Sequence, residues 1–168
     1  MPEKRIGKVM LKKYLMVFFI SMVPVVELRG AIPVAVGMGL PLLQSYITAV
    51  IGNMIPVPFI YFFARRLLMW GKDKKVIGRP FSWILEKGNR GGEKLMAKGG
   101  RGTFVALMIF VGIPLPGTGA WTGTLAASIL NMGFKKSVIA VLLGVAMAGV
   151  IMGLASAGVF GAAHAIAG

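Results

Sequence analysis

The sequence predicts an all-α polytopic membrane protein of two inverted repeats, each a re-entrant helical hairpin followed by one spanning helix. Three observations predict it. The 168-residue chain is 57% hydrophobic and only 14% charged, where a soluble domain carries about a quarter charged residues. Its charges are gathered into blocks, leaving residues 30–64, 102–134 and 137–168 without Lys, Arg, Asp or Glu. Uncharged apolar runs longer than about 18 residues read as membrane-embedded. Finally, the apolar segments follow one order twice: short, break, short, long. A soluble enzyme and a disordered chain are thereby excluded.

Taken in order, residues 1–13 hold five basic residues and Glu3, ahead of an apolar stretch at 14–26. That stretch makes a helix of about 20 Å, too short to cross about 30 Å of hydrocarbon. A basic start before an apolar run also fits a signal peptide. Glu27 and Arg29 follow at once, without a small-x-small cleavage site, so the segment is read as retained. The break Glu-Leu-Arg-Gly-Ala-Ile-Pro at 27–33 leads into a second short arm and completes a hairpin over 14–40. A helix over 42–64 can span, interrupted by Asn53, Pro56 and Pro58, and closes a first repeat at 14–64.

Residues 65–101 set eleven basic residues against Asp73, Glu86 and Glu93. Such a block beside apolar segments belongs on the cytoplasmic face, with Lys135 and Lys136 on the same side. Two inverted crossings then put the N-terminus on the other side. Nucleic-acid binding needs stacking aromatics among the basic residues, and the connector offers only Trp70, Phe81 and Trp83. No nucleic-acid partner is expected from the net charge of +14. A second hairpin over 103–130, broken at Pro-Leu-Pro-Gly-Thr-Gly (114–119), and a helix over 135–163 form the second repeat at 103–163. The whole chain, 1–168, reads as one membrane domain.

The letters support the repeat sparingly. Residues 18–24 align with 108–114 at an offset of 90, and 38–40 with 132–134 at 94. Broken backbone at membrane depth is tolerated only inside protein or beside a wet cavity. Interrupted segments in corresponding positions of two halves point to a transporter site.

Glu27 and Arg29 are the ionisable groups expected within the apolar layer, which makes them the candidate proton and substrate site. At i and i+2 they do not share a helix face. They pair in a non-helical turn, as a structural pin of the hairpin tip or a working pair, or each finds a partner elsewhere. In the second break, Gly117 and Gly119 let backbone N–H groups converge, while Thr118, Thr122 and Thr124 add hydroxyls. A short helix from about Ala120 aims its positive end there, a seat for an anionic headgroup or a water. Gly30, Pro33, Asn53, Pro114, Pro116 and Trp121 complete the expected lining, with Trp121 as a gate or a packing anchor. Asn53 is expected to bond the backbone freed by Pro56 and Pro58. Gly149, Gly153, Ala157 and Gly161 form a small-residue stripe, for internal packing or for the seam of a homodimer. With no Cys, no metal-ligand spacing of His, Asp or Glu, no Ser-His-Asp set and no phosphate loop, neither metal, cofactor nor enzymatic activity is expected.

The motifs Glu-Leu-Arg-Gly-Ala-Ile-Pro (27–33), Gly-Asn-Met-Ile-Pro-Val-Pro (52–58) and Pro-Leu-Pro-Gly-Thr-Gly-Ala-Trp-Thr-Gly (114–123) resemble the small multidrug export protein family. The likeness covers nearly the whole chain, from about Tyr14 to Gly158. That family looks like a distant relative of the DedA and VTT-domain membrane proteins. The resemblance implies two re-entrant hairpins in inverted repeats and proton-coupled movement of an amphipathic or lipid-like substrate in the cell membrane. A DedA-like flippase or scramblase of carrier lipids and a non-transporting scaffold are the alternatives. Membrane lipids and that small substrate are the expected partners.

Overall fold

The computed structural model describes residues 2–73, 79, 82, 86, 101–115 and 117–167. Among them the regular structure is helical. Helix α1 runs Pro2–Met22, 21 residues long, rather than over the apolar 14–26 alone. Lys and Arg are good helix formers, so the basic residues end the apolar run without ending the helix. The chain turns at 23–26, ahead of the expected break, and α2 runs Glu27–Gly37 straight through Pro33. One proline removes a single i→i−4 bond, the one to the Arg29 carbonyl, and the helix continues past it. Val25 and Glu27 adopt φ +73° and +50°, left-handed values that cost a non-glycine residue on the order of 1–3 kcal/mol.

Helices α3 (Leu42–Met54) and α4 (Pro56–Lys72) are separated at Ile55, where Pro56 and Pro58 cannot donate to the carbonyls of Gly52 and Met54. The second hairpin is α5 (Arg101–Gly112) and α6 (Ala120–Ile129), followed by α7 (Phe134–Ala167). Helix α6 starts where the sequence placed it. The segments Leu42–Ala64 and Phe134–Val159 are long and apolar enough to cross a membrane.

Both hairpins close in the same way. The Leu40 N–H donates to the Ala35 carbonyl (3.1 Å) past Gly39, and the Met132 N–H to the Ala127 carbonyl (3.0 Å) past Asn131. Gly39 and Asn131 have φ +73° and +55°, and each closure satisfies a carbonyl left open at the helix end. Further on, buried Ser45 donates its hydroxyl to the Pro41 carbonyl (2.9 Å), and buried Ser137 to the Gly133 carbonyl (3.2 Å). These pairs stand 92 apart, which replaces the offset of 94 read from the letters. The first arms keep the offset of 90. A Cβ on Gly52 would lie 2.5 Å from the Phe18 carbonyl, and one on Gly144 would lie 2.6 Å from the Met108 carbonyl. Each long helix therefore presses a glycine against the first arm of its own hairpin.

Helix α7 also gives the spacing of the hairpins. Lys13 Nζ donates to the Met38 carbonyl (2.8 Å) and closes the open end of the first hairpin. Beside that end, Leu42 meets Gly153 of α7, 3.5 Å from where a Cβ would stand. The open end of the second hairpin adjoins Phe134, and at 1.5 Å per residue Phe134 and Gly153 are about 29 Å apart. The two tips meet between these ends, with Gly112 packed on Gly144 and Met147. Helix α2 packs on α7 and α6 on α4, around a core that includes Val17, Leu28, Ile32, Val57, Val111, Val141 and Val145. Large apolar side chains also face outward, among them Phe59, Phe63 and Leu154. Of the small-residue stripe, Gly149 lies against Tyr46 and Leu28 and Gly153 against Leu42, all in the same chain. Ala157 and Gly161 are exposed.

Candidate functional site

Glu27 and Arg29 do not bond to each other. Each binds one end of the break in the opposite hairpin. The first turn of α2 carries both, and folding places it against the second tip. Glu27 is 3% exposed, and its carboxylate accepts the backbone N–H groups of Ala120 (3.1 Å) and Trp121 (3.0 Å). These are donors that the first turn of α6 cannot satisfy internally, at the positive end of that helix. Arg29 donates to the carbonyls of Val111 (3.3 Å), Ile113 (3.2 Å) and Leu115 and to the Thr118 hydroxyl oxygen (2.9 Å). Its cation thus sits at the negative, carbonyl-bearing end of α5. The anion seat expected at Ala120 for a headgroup or water is filled by the protein's own carboxylate.

Gly119 makes that seat possible. Its φ of +155° and ψ of −172° fall in a region essentially reserved for glycine. A Cβ there would lie 2.7 Å from the Glu27 Cδ and 2.8 Å from its Oε1. Thr118 donates its hydroxyl to the Ile113 carbonyl (2.7 Å) or the Leu115 carbonyl (2.9 Å) and shapes the loop. Trp121 donates its indole N–H to the Met22 carbonyl (3.2 Å), at the end of α1, so the ring joins the two tips. Thr122 reaches the Gly119 carbonyl at 3.5 Å.

Beside this junction a groove of about 360 Å³ opens between α4 and α6. Of the residues expected at a site, Glu27, Gly117, Thr118, Trp121 and Thr122 line it. Pro24, Val25, Ile60, Phe63, Ala64, Leu67 and Leu125 line it too, and sequence reasoning missed them. They are ordinary apolar residues with no local mark of a site. Gly30, Pro33 and Pro114 do not reach the groove lining, and Pro116 lies outside the described residues, as do Phe81 and Trp83 of the connector. Asn53 is fully buried at the end of α3, and neither its Oδ1 nor its Nδ2 has a hydrogen-bond partner. It does not bond the backbone freed by the two prolines, because its side chain points into the packed interior. The buried Thr124 hydroxyl is likewise unpartnered. Among the described residues no three His, Cys, Asp or Glu gather as a metal site would require.

The sequence pattern of the family "Putative small multi-drug export protein" matches residues 27–151. No curated protein and no solved structure matches the chain.

Proposed function

The chain belongs to that small multi-drug export family, and from this premise we propose that it is a proton-coupled membrane transporter of a small amphipathic substrate. Membership of an export family supports a transporter rather than an enzyme. The observation that carries the reading is the Glu27 carboxylate of one hairpin seated on the helix start of the other, on the wall of an apolar groove. The open ends of the hairpins, about 29 Å apart along α7, match a hydrocarbon layer of about 30 Å. That spacing supports two re-entrant hairpins entering from opposite faces, with tips meeting at mid-depth. The connector at 65–101 then lies on the cytoplasmic side of a multi-pass cell-membrane protein.

In this mechanism the ionised Glu27 holds the tips together through two N–H bonds. A proton on the carboxyl removes its charge, so the two bonds it accepts weaken from charge-assisted to neutral ones. The tips loosen, and the groove beside them changes its access. Loss of the proton reseats the carboxylate on α6. A DedA-like reading, in which Arg29 receives a lipid phosphate, has the buried Arg29 Nε as an open donor, while Nη1 and Nη2 already serve four oxygen partners.

The test is uptake of an amphipathic dye into proteoliposomes with and without a pH gradient. Glu27→Gln keeps size and one acceptor but carries no charge. The variant is expected to insert and fold yet lose the response to the gradient. Wild-type rates in Glu27→Gln at every pH refute the assignment and leave the scaffold reading in place.

A further inference from the structure

We propose that the outer face of α4 holds one anionic phospholipid, its phosphate on Arg66 and an acyl chain in the groove beside it. The proposal needs only that the chain sits in a membrane and takes nothing from the transport reading. Arg66 lines two hollows at once. One, of about 370 Å³, runs from Pro58 past Phe59, Phe62 and Phe63 to Arg66. Eight residues of helix make it about 12 Å long, and apart from Arg66 its lining is apolar. The other, of about 460 Å³, lies among Tyr61, Phe62, Arg66 and Met69.

The second hairpin fixes the depth of this face. Tyr61 donates its hydroxyl to the Met132 carbonyl, and Ser128 donates its own to the Tyr61 carbonyl (2.7 Å). Phe134 sets its ring against Tyr61 and Phe62, with centroids 5.3 and 4.8 Å away. Phe62 is thus held where the apolar span Phe134–Val159 begins. Arg66 stands one turn further along α4, about 6 Å, just past the apolar span Leu42–Ala64. That is headgroup level, with Phe59 and Pro58 deeper in the hydrocarbon. Charge then selects the lipid. Lys135 and Lys136 follow Phe134 and are exposed, as is Arg66, and among the described residues none of these cations has a carboxylate partner. Basic clusters at the cytoplasmic edge attract headgroups of net negative charge, whereas a zwitterionic headgroup brings a cation of its own. The guanidinium adds a planar fork that takes two phosphate oxygens. Free phosphate uses the fork and leaves the apolar groove empty, so tight binding needs the acyl chain.

The experiment measures binding to the detergent-purified full chain by native mass spectrometry. Its probes are dioleoyl phosphatidylglycerol, dioleoyl phosphatidylcholine and glycerol 3-phosphate. Phosphatidylglycerol is expected to bind at least about tenfold tighter than phosphatidylcholine, and glycerol 3-phosphate not at all at the concentration where the lipid saturates. Arg66→Gln, at an exposed position, should weaken phosphatidylglycerol binding about tenfold, since it removes both the charge and the fork. Lys72→Gln removes an equal charge about 9 Å further along α4, outside both hollows, and should cost less than about fivefold. Phosphatidylcholine binding as tight as phosphatidylglycerol, equal losses in the two variants, or binding of glycerol 3-phosphate overturns the proposal. So does self-cross-linking of Phe59→Cys in vesicles, which means that a second copy of the chain covers this face instead.

Discussion

Replacing Gly119 by Ala tests the junction of the two hairpins most directly. The new Cβ must stand at φ +155°, which costs an L-residue on the order of 1–3 kcal/mol. It must also stand within 3 Å of the Glu27 Cδ and Oε1. The carboxylate cannot stay, and with it go two hydrogen bonds to the start of α6. Losing a helix N-cap costs about 1–2 kcal/mol, and the displaced charge adds roughly another 1 kcal/mol at a helix end. The total is about 4 kcal/mol. Gly117→Ala is the control. Gly117 has φ +82° and nothing within 4 Å of an added Cβ, so the backbone cost of roughly 1–2 kcal/mol stands alone. The difference, about 2–3 kcal/mol, corresponds to roughly 5–10 °C in the unfolding midpoint of a chain this long. Thermal unfolding in detergent measures it. The double variant Gly119→Ala/Glu27→Ala should be more stable than the sum of the singles predicts, by about 2 kcal/mol, because both remove the same seat. Equal shifts for the two glycines, or strict additivity with Glu27→Ala, would refute the reasoning.

Arg29→Lys keeps the charge but not the fork that reaches three carbonyls and Thr118; unfolding should come about 2 kcal/mol sooner, and an unchanged midpoint contradicts the assignment. Asn53→Leu removes two buried atoms without partners and should raise the midpoint by the equivalent of about 1 kcal/mol; a lower midpoint means the amide has a partner such as bound water. Gly149→Ala places a Cβ 2.5 Å from the Tyr46 ring and should cost about 1–3 kcal/mol, whereas Gly153→Ala, in ordinary contact with Leu42, should be near neutral in the same melts. Cysteines at Pro2 and Arg79 should label from opposite faces of a vesicle, with Lys135 on the Arg79 side; labelling of positions 2 and 79 from one face rules out the re-entrant reading of the first hairpin.

Much of this was readable along the chain because the relevant properties are local. Charge-free runs identify apolar elements by composition, and Pro56 with Pro58 marks a helix interruption by chemistry alone. Gly117 and Gly119 ahead of an apolar run placed the start of α6 correctly. Other local signals misled. The break was assigned to the charged motif at 27–33, yet the turn falls at 23–26, in Val-Pro-Val-Val. Charge and proline there did not stop α2, because tertiary contacts satisfied Glu27 and Arg29 and a single lost bond at Pro33 is a modest defect. The offset of 94 came from shared letters, whereas the closures at Gly39 and Asn131 correspond at 92, since a left-handed cap accepts either residue type.

Where the two charges go depends on the tertiary fold. Glu27 finds its donors 93 and 94 positions away and Arg29 its acceptors 82 to 89 away. Two residues apart in sequence, they bind opposite ends of one break rather than each other. Nothing in their neighbours signals this. The strength of a hydrogen bond at a helix end depends on distance and direction through space, over a few ångströms. Those are set only when glycines at 52, 112, 119 and 144 let the backbones approach and bring the two tips together. Composition and periodicity sum over residues and survive as sequence signals. The approach of two helix ends is a property of the assembled packing, and it decides what the charged pair can do.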